Sequence, residues 1–405
     1  MLTNRRSVFA GLATIITAGL AGSTLAATPA LAGPANDNFA FAQFLPGTND
    51  AVGGRNDNGA TAEPGEPAHA GTPAHASLWY RWTAPATGKA IFRTINGNTS
   101  LDTVLSVYTG SSLSALTPVA ENDDAQGTRQ SQVVFKATKG IEYKIAVDGF
   151  GSNTGSFKLT WTGNDDLAAA QTLPGPTGSF LAVGADIDGA SAEPGEPAHA
   201  GQAAAHSIWY RWVAPANGIA EFAAVQGGFD SRIAAYAGTG FGALRLVAQN
   251  NDQQPGNTRA RIVFAAKAGT EYRVAVDGAN GAQGFDVIRY SLTDPKVSVG
   301  TATVVEGNSG TKTVTVPVSL NTDAPFPVSV SFATRNGTAV APGDYVTTSG
   351  TLTFPPGFRF LSVPVQVVGD TVREPNEAFT VTLSNPGGGF SLGTAAGTVT
   401  ITNND

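Results

Sequence analysis

The sequence predicts an all-β protein of three consecutive sandwiches, and three observations carry that expectation. Charged residues make up only 14% of the 405, too few to cover the wet faces of long helices. The ten residues from Ala62 to Gly71 recur unchanged from Ala192 to Gly201, which marks a repeat with a period of about 130 residues. Apolar and polar residues alternate over short runs bounded by Gly and Pro, the pattern of half-buried strands.

The N-terminus comes first. Asn4-Arg5-Arg6 opens a basic stretch, an apolar run follows from Val8 to about Leu20, and Ala30-Leu31-Ala32 precedes Gly33. This is the layout of a secretory signal peptide over residues 1–32 with an A-x-A cleavage site. The apolar run is shorter than the roughly 20 residues a membrane span takes. Arg5-Arg6-Ser7-Val8-Phe9 is similar to a twin-arginine signal, and a general secretory route stays open beside it. The expected location is secreted or extracellular, with the cell surface possible, and no membrane span is expected in the mature chain.

The two copies follow, expected over residues 33–163 and 164–293. Leu78-Trp79-Tyr80-Arg81-Trp82 returns as Ile208-Trp209-Tyr210-Arg211-Trp212, and Glu142–Gly149 returns as Glu271–Gly278. Leu78, Tyr80 and Trp82 alternate with Trp79, Arg81 and Thr83, so one set should face a core. These segments resemble the bacterial pre-peptidase C-terminal family, in a variant with an E-P-G-E-P-x-H-A-G loop. The resemblance implies jelly-roll-like β-sandwiches that accompany secreted hydrolases without being catalytic.

From Pro295 the texture changes to Val/Thr alternation. Strands read at about 297–305, 311–320, 328–335, 348–354, 359–368, 378–384 and 397–403, an immunoglobulin-like pattern. In a sandwich of successive antiparallel strands, odd-numbered strands end at one pole. Glu306, Asp344, Asp370, Glu374, Glu377 and Asp405 therefore gather there, while Asp323 falls at the opposite end. Like charges so gathered repel unless a cation sits among them. Hard oxygen donors without thiolate or histidine select calcium. The markers Val305-Glu306-Gly307, Gly343-Asp344-Tyr345, Gly369–Glu377 and Asn403-Asn404-Asp405 resemble the Calx-β family over 294–405. That resemblance implies Ca2+ held by carboxylates of these loops. The family often ends in a longer acidic run, part of which Asn403-Asn404 replace.

A second candidate cation loop comprises Glu63, Glu66 and Asp124, with counterparts Glu193, Glu196 and Asp252. The alternative for such a Pro/Gly-stiffened loop is a rigid turn. Four histidines lie nearby, but His75 and His206 occupy shifted positions in the two copies, which argues against zinc.

The function classes narrow accordingly. A formal net charge of −7 without Lys/Arg clusters argues against nucleic acid. The absence of cysteine excludes thiol chemistry, and no G-x-S-x-G or H-E-x-x-H motif occurs, so no catalytic residues are expected. The expectation is a non-catalytic, calcium-binding protein, structural or adhesive. The alternative is a carbohydrate- or protein-targeting module, in which Trp79 and Trp209 stack on an extracellular glycan if their strand face is exposed.

Overall fold

A computed structural model describes residues 33–94, 99–125, 127–175 and 180–405. The expected signal peptide lies outside the described residues. Strands dominate throughout, and the only helical elements among the described residues are five 3-10 turns of three residues each. The all-β expectation holds. No helix among the described residues is long and apolar enough to cross a membrane.

Nine strands build the first repeat: β1 (Gln43–Leu45), β2 (Asn49–Asn56), β3 (Leu78–Thr83), β4 (Gly88–Arg93), β5 (Thr103–Thr109), β6 (Thr117–Asn122), β7 (Gln132–Ala137), β8 (Glu142–Gly149) and β9 (Ser156–Thr162). They form two sheets, β1-β3-β8-β5-β6 and β2-β9-β4-β7. Between the sheets lie Tyr80, Trp82, Phe92, Phe135, Tyr143 and Trp161 among others, all buried. The second repeat copies this plan with β10 (Gln171–Leu173), β11 (Leu181–Asp186), β12 (Ile208–Val213), β13 (Gly218–Ala224), β14 (Ser231–Ala237), β15 (Arg245–Asn250), β16 (Arg261–Ala266), β17 (Glu271–Gly278) and β18 (Phe285–Thr293). Its sheets are β10-β12-β17-β14-β15 and β11-β18-β13-β16.

The condition for sugar stacking, an exposed outer strand face, is not met. Trp79 and Trp209 point away from the inter-sheet core, yet both are fully buried. Trp79 joins Ala42, Tyr108 and Ala146 in a separate cluster, covered by Phe39, Leu113 and Leu116. Trp209 sits in the equivalent cluster with Leu167, Ala234 and Tyr236. Loops fold back over the outer face of the sheet, so neither indole is presented for stacking on a sugar.

The third unit contains β19 (Lys296–Val299), β20 (Ala302–Val305), β21 (Gly310–Leu320), β22 (Val328–Arg335), β23 (Ser349–Phe354), β24 (Phe360–Gly369), β25 (Glu377–Ser384), β26 (Ser391–Leu392) and β27 (Ala396–Thr402). Its sheets run β24-β21-β19-β26 and β20-β27-β25-β22-β23. The single first strand expected from the sequence is broken at Gly300-Thr301. Its first half pairs antiparallel with β21, and its second half crosses to the other sheet to pair parallel with β27. Val, Leu, Ile and Phe side chains alternate inward to fill the space between the sheets, with Tyr345 and Phe379 stacked at a centroid distance of 4.1 Å.

Candidate metal centre

The strand directions of the third unit bring its acidic residues to one end. β20 runs into Glu306, β24 into Asp370 and β27 toward Asp405, while β25 begins at Glu377. Asp344 is anchored beside the end of β24 because the Val368 amide donates to its carbonyl at 2.9 Å. The turn after Glu306 and the end of β24 pack so closely that a Cβ on Gly369 would lie 2.4 Å from the Gly307 carbonyl oxygen. Glycine there lets the two acidic loops touch.

One carboxylate oxygen from each of Asp344, Glu374 and Glu377 lies within 4.8 Å of the others. Glu306 is buried, and burial raises its pKa; Asp370, Glu374, Asp405 and Asp344 raise it further. Glu377 is pushed up to about 7 by burial, by a hydrogen bond shared with Asp344, and by the charges of Asp344, Glu374 and Glu306. The six carboxylates that the sequence assigns to this pole are thus linked through Glu306 and Glu377, which between them feel the charge of the other four. Among the described residues none of the six forms an ion pair. Asp323, at the other end, is paired with Arg359.

Several oxygens are already oriented by the backbone. Asp344 Oδ2 accepts from the Val340 amide at 2.6 Å, and Asp370 Oδ1 accepts from the Val372 amide at 2.7 Å. Asparagines tie the loops together, a role the sequence did not reveal. Asn404 Oδ1 accepts from the Gly307 amide at 2.7 Å and its Nδ2 donates to Asn308 Oδ1 at 2.8 Å. Asn308 Nδ2 in turn donates to Asp405 Oδ1 at 2.9 Å, and Asn403 Nδ2 to the Val372 carbonyl at 3.2 Å. The Asn403-Asn404 pair thus fastens the tail to two acidic loops. The donor set is all oxygen and carries uncompensated negative charge, so it fits a hard divalent cation.

The loops of the two repeats are arranged differently. Glu66 Oε2 accepts from the Glu63 amide at 2.8 Å, and its Oε1 accepts from Ser77 Oγ and meets His69 Nε2 at 3.1 Å. Glu63 Oε2 accepts from the Phe39 amide. Burial pushes Glu66 up, but the bonds from His69 and Ser77 outweigh it and hold its carboxyl low. In the second repeat Glu196 accepts from the Glu193 amide at 2.7 Å and Glu193 from the Leu167 amide at 2.5 Å. There the Glu196–His199 contact stretches to 3.6 Å, and burial leaves Glu196 raised. These carboxylates staple their own turns. Asp124 does not join them; its oxygens lie within 4.8 Å of those of Asp102 and Asp123 instead. Asp252 correspondingly raises the pKa of Asp230, after burial. The proposed grouping of Asp124 with Glu63 and Glu66, and of Asp252 with Glu193 and Glu196, is therefore redrawn, because the Glu side chains turn inward onto the loop while the Asp side chains meet another one.

With this geometry in view, comparison with known proteins decides the third unit. The Calx-beta domain family matches residues 287–405. The third unit is a Calx-beta domain. Over 64 residues, 16% of this chain, the sequence is 41% identical to the sodium/calcium exchanger Calx of Drosophila melanogaster. The match spans only 7% of that exchanger's length. Among solved structures, the apo-form Calx CBD1 domain is 32% identical, covering 28% of this chain and 99% of that one at a TM-score of 0.26. The calcium binding domain CBD12 of CALX1.1 is 33% identical, covering 27% of this chain and 45% of that one, also at 0.26. The Calx-beta domain contributes all six carboxylates of the acidic pole.

Proposed function

We propose that this chain is a secreted or cell-surface, non-catalytic protein that binds calcium at the acidic pole of its Calx-beta domain and serves a structural or adhesive role. The observation that carries the reading is the convergence of Glu306, Asp344, Asp370, Glu374, Glu377 and Asp405 with no ion pair to any of them among the described residues. Calcium would neutralise these charges and cross-link the loops that bear them. The repeats belong to this reading as pre-peptidase C-terminal-like sandwiches that space the calcium module without chemistry of their own. Export rests on the basic, apolar and A-x-A pattern of residues 1–32. Mass spectrometry of secreted material should show a mature start near Gly33, and retention of Met1 in the producing cell would refute export.

Calorimetric titration of the full chain with calcium tests the binding. Extracellular calcium modules bind with dissociation constants of roughly 0.1–1 mM, and a saturable heat in that range is expected. No heat at about 10 mM calcium, or an unchanged isotherm in Asp370→Asn, defeats the assignment.

A further inference from the structure

The two repeats are built alike, and each meets the domain that follows it through the same patch of its surface. The patch lies at the start of β4 in the first repeat and at the start of β13 in the second. Aligning Gly88-Lys89-Ala90 with Gly218-Ile219-Ala220 puts Lys89 and Ile219 at one structural position. Lys89 pairs with Lys136 across β4 and β7, and Ile219 pairs with Ala265 across β13 and β16.

What each residue touches is chemically opposite. Lys89 Nζ lies 2.6 Å from Asp165 Oδ2 of the second repeat, a fully buried carboxylate, and also bonds Ser191 Oγ. Its backbone amide donates to Asp166 Oδ2 at 3.0 Å. Four residues along the same strand, Arg93 reaches Asp188 at 2.8 Å, and Asn49 exchanges hydrogen bonds of 3.1 and 3.0 Å with the Asp186 backbone. Ile219, by contrast, is 8% exposed and belongs to the hydrophobic core of the Calx-beta domain, with Val263 packed against the same cluster. The backbone at Gly389 comes so near the Gly218 carbonyl that a Cβ would lie 2.3 Å from it. The φ of Gly389 is +74°, which also favours glycine. At the position of Arg93 the second repeat has Ala223, which removes the second cation as well.

We propose that this patch is a docking socket for the following domain, and that its central residue selects the occupant. A lysine takes another repeat, whose opening residues supply Asp165 and Asp166. An isoleucine takes the apolar base of a Calx-beta sandwich. The chain is then a stiff, head-to-tail arm rather than a set of modules on loose tethers, the default for small or polar inter-domain contacts. The acidic pole lies at the end of the Calx-beta domain away from the socket, separated from it by the length of β21, roughly 35 Å for eleven residues.

The full chain contains no cysteine, so introduced label pairs report cleanly. Ser114→Cys with Gln254→Cys spans the first joint, and Gln254→Cys with Thr351→Cys spans the second. Distance distributions should be narrow across both joints in the parent chain. Ile219→Lys should widen only the second, and Lys89→Glu only the first, each by about twofold or more, since a freed joint reverts to ordinary inter-domain motion. Emission from the five buried tryptophans, all in the repeats, verifies that these stay folded. Should Lys89→Glu disturb that emission, Lys89→Ile is read instead. It installs the second repeat's plug, makes the patch apolar without reversing its charge, and must still loosen the first joint because Asp165 loses its cation. Broad distributions in the parent chain, or widths that none of these variants moves, overturn the proposal.

Discussion

Asp277 in the second repeat and Glu377 in the Calx-beta domain are both carboxylates held by β-strands, and the chain treats them in opposite ways. Asp277 is fully buried, with Arg232 at 2.7 Å, His199 at 3.1 Å, and the amides of His206 and Gly278 at 2.9 and 2.7 Å. Burial pushes its pKa up, but His199, the His206 amide and Arg232 together bring it below the ordinary value. Glu377 has Asp344, Glu374 and Glu306 for neighbours and is driven upward. Where negative charge serves the architecture, the sequence supplies its counter-charge. Where it is left unmatched on converging loops, as at the acidic pole, the partner we propose is a cation.

The largest expected effect strips a counter-charge from the architectural side. Arg232→Ala leaves Asp277 short of its main cation in the interior, and breaking such a pair costs about 3–5 kcal/mol. Chemical denaturation followed by tryptophan emission should show this loss in the second repeat, and added calcium should not restore it. A loss that calcium did restore would erase the distinction between the two kinds of site.

Next comes the ligand side. Calcium at about a hundredfold excess over its dissociation constant should stabilise the Calx-beta domain by about 2.7 kcal/mol, a rise in melting temperature on the order of 10 °C for a domain of that size. Asp370→Asn and Glu306→Gln should each abolish most of the rise in scanning calorimetry of the full chain. Magnesium should do far less, because it needs a tighter octahedral shell and holds its waters.

A third test uses a carboxylate of the first repeat that forms no ion pair among the described residues. Asp57 is fully buried, accepts one bond from the Gly155 amide at 2.7 Å, and occupies the place that Ile187 holds in the second repeat. Its Oδ2 finds no protein partner among the described residues. Burial, opposed by the Gly155 amide and aided by the charge of Asp148, pushes its pKa up to about 6. The unfolded chain therefore loses this proton first. The stability it confers is full below about pH 4 and is lost as pH rises through 6. Relative to Asp57→Asn, the parent chain should gain about 3 kcal/mol between neutral and acid pH, read from denaturation midpoints of the first repeat. A constant difference across that range would refute the assignment. The smallest effect belongs to Asp323→Asn, which should leave the calcium response unchanged because that residue pairs with Arg359 at the far end of the domain.

Much of this was legible in the chain. The repeat is literal, and strand parity alone placed six carboxylates at one pole, because each loop joins strands whose direction is fixed. The clamps at that pole were not legible. The Asn404–Gly307 and Asn308–Asp405 bonds link residues 97 positions apart, and such contacts depend on strand register rather than on spacing. Alternation alone left the surroundings of Trp79 and Trp209 open, since a period of two reports which face a side chain takes but not whether a loop covers the second face. Asp102 and Asp123 escaped notice for a related reason. They lie on different loops and meet only once β5 and β6 are paired.

The break in the first strand of the Calx-beta domain has a mechanical consequence. β20 and β27 lie side by side and run the same way over four paired positions, Ala302 with Val399 through Val305 with Thr402. A pull applied before residue 302 and after residue 402 would drag these strands past each other along their length. Their hydrogen bonds would then share the load and have to rupture together, instead of opening one at a time like a zipper. An arm loaded in tension would meet its resistance in this shear clamp, directly beside the loops that carry Glu306 and Asp405.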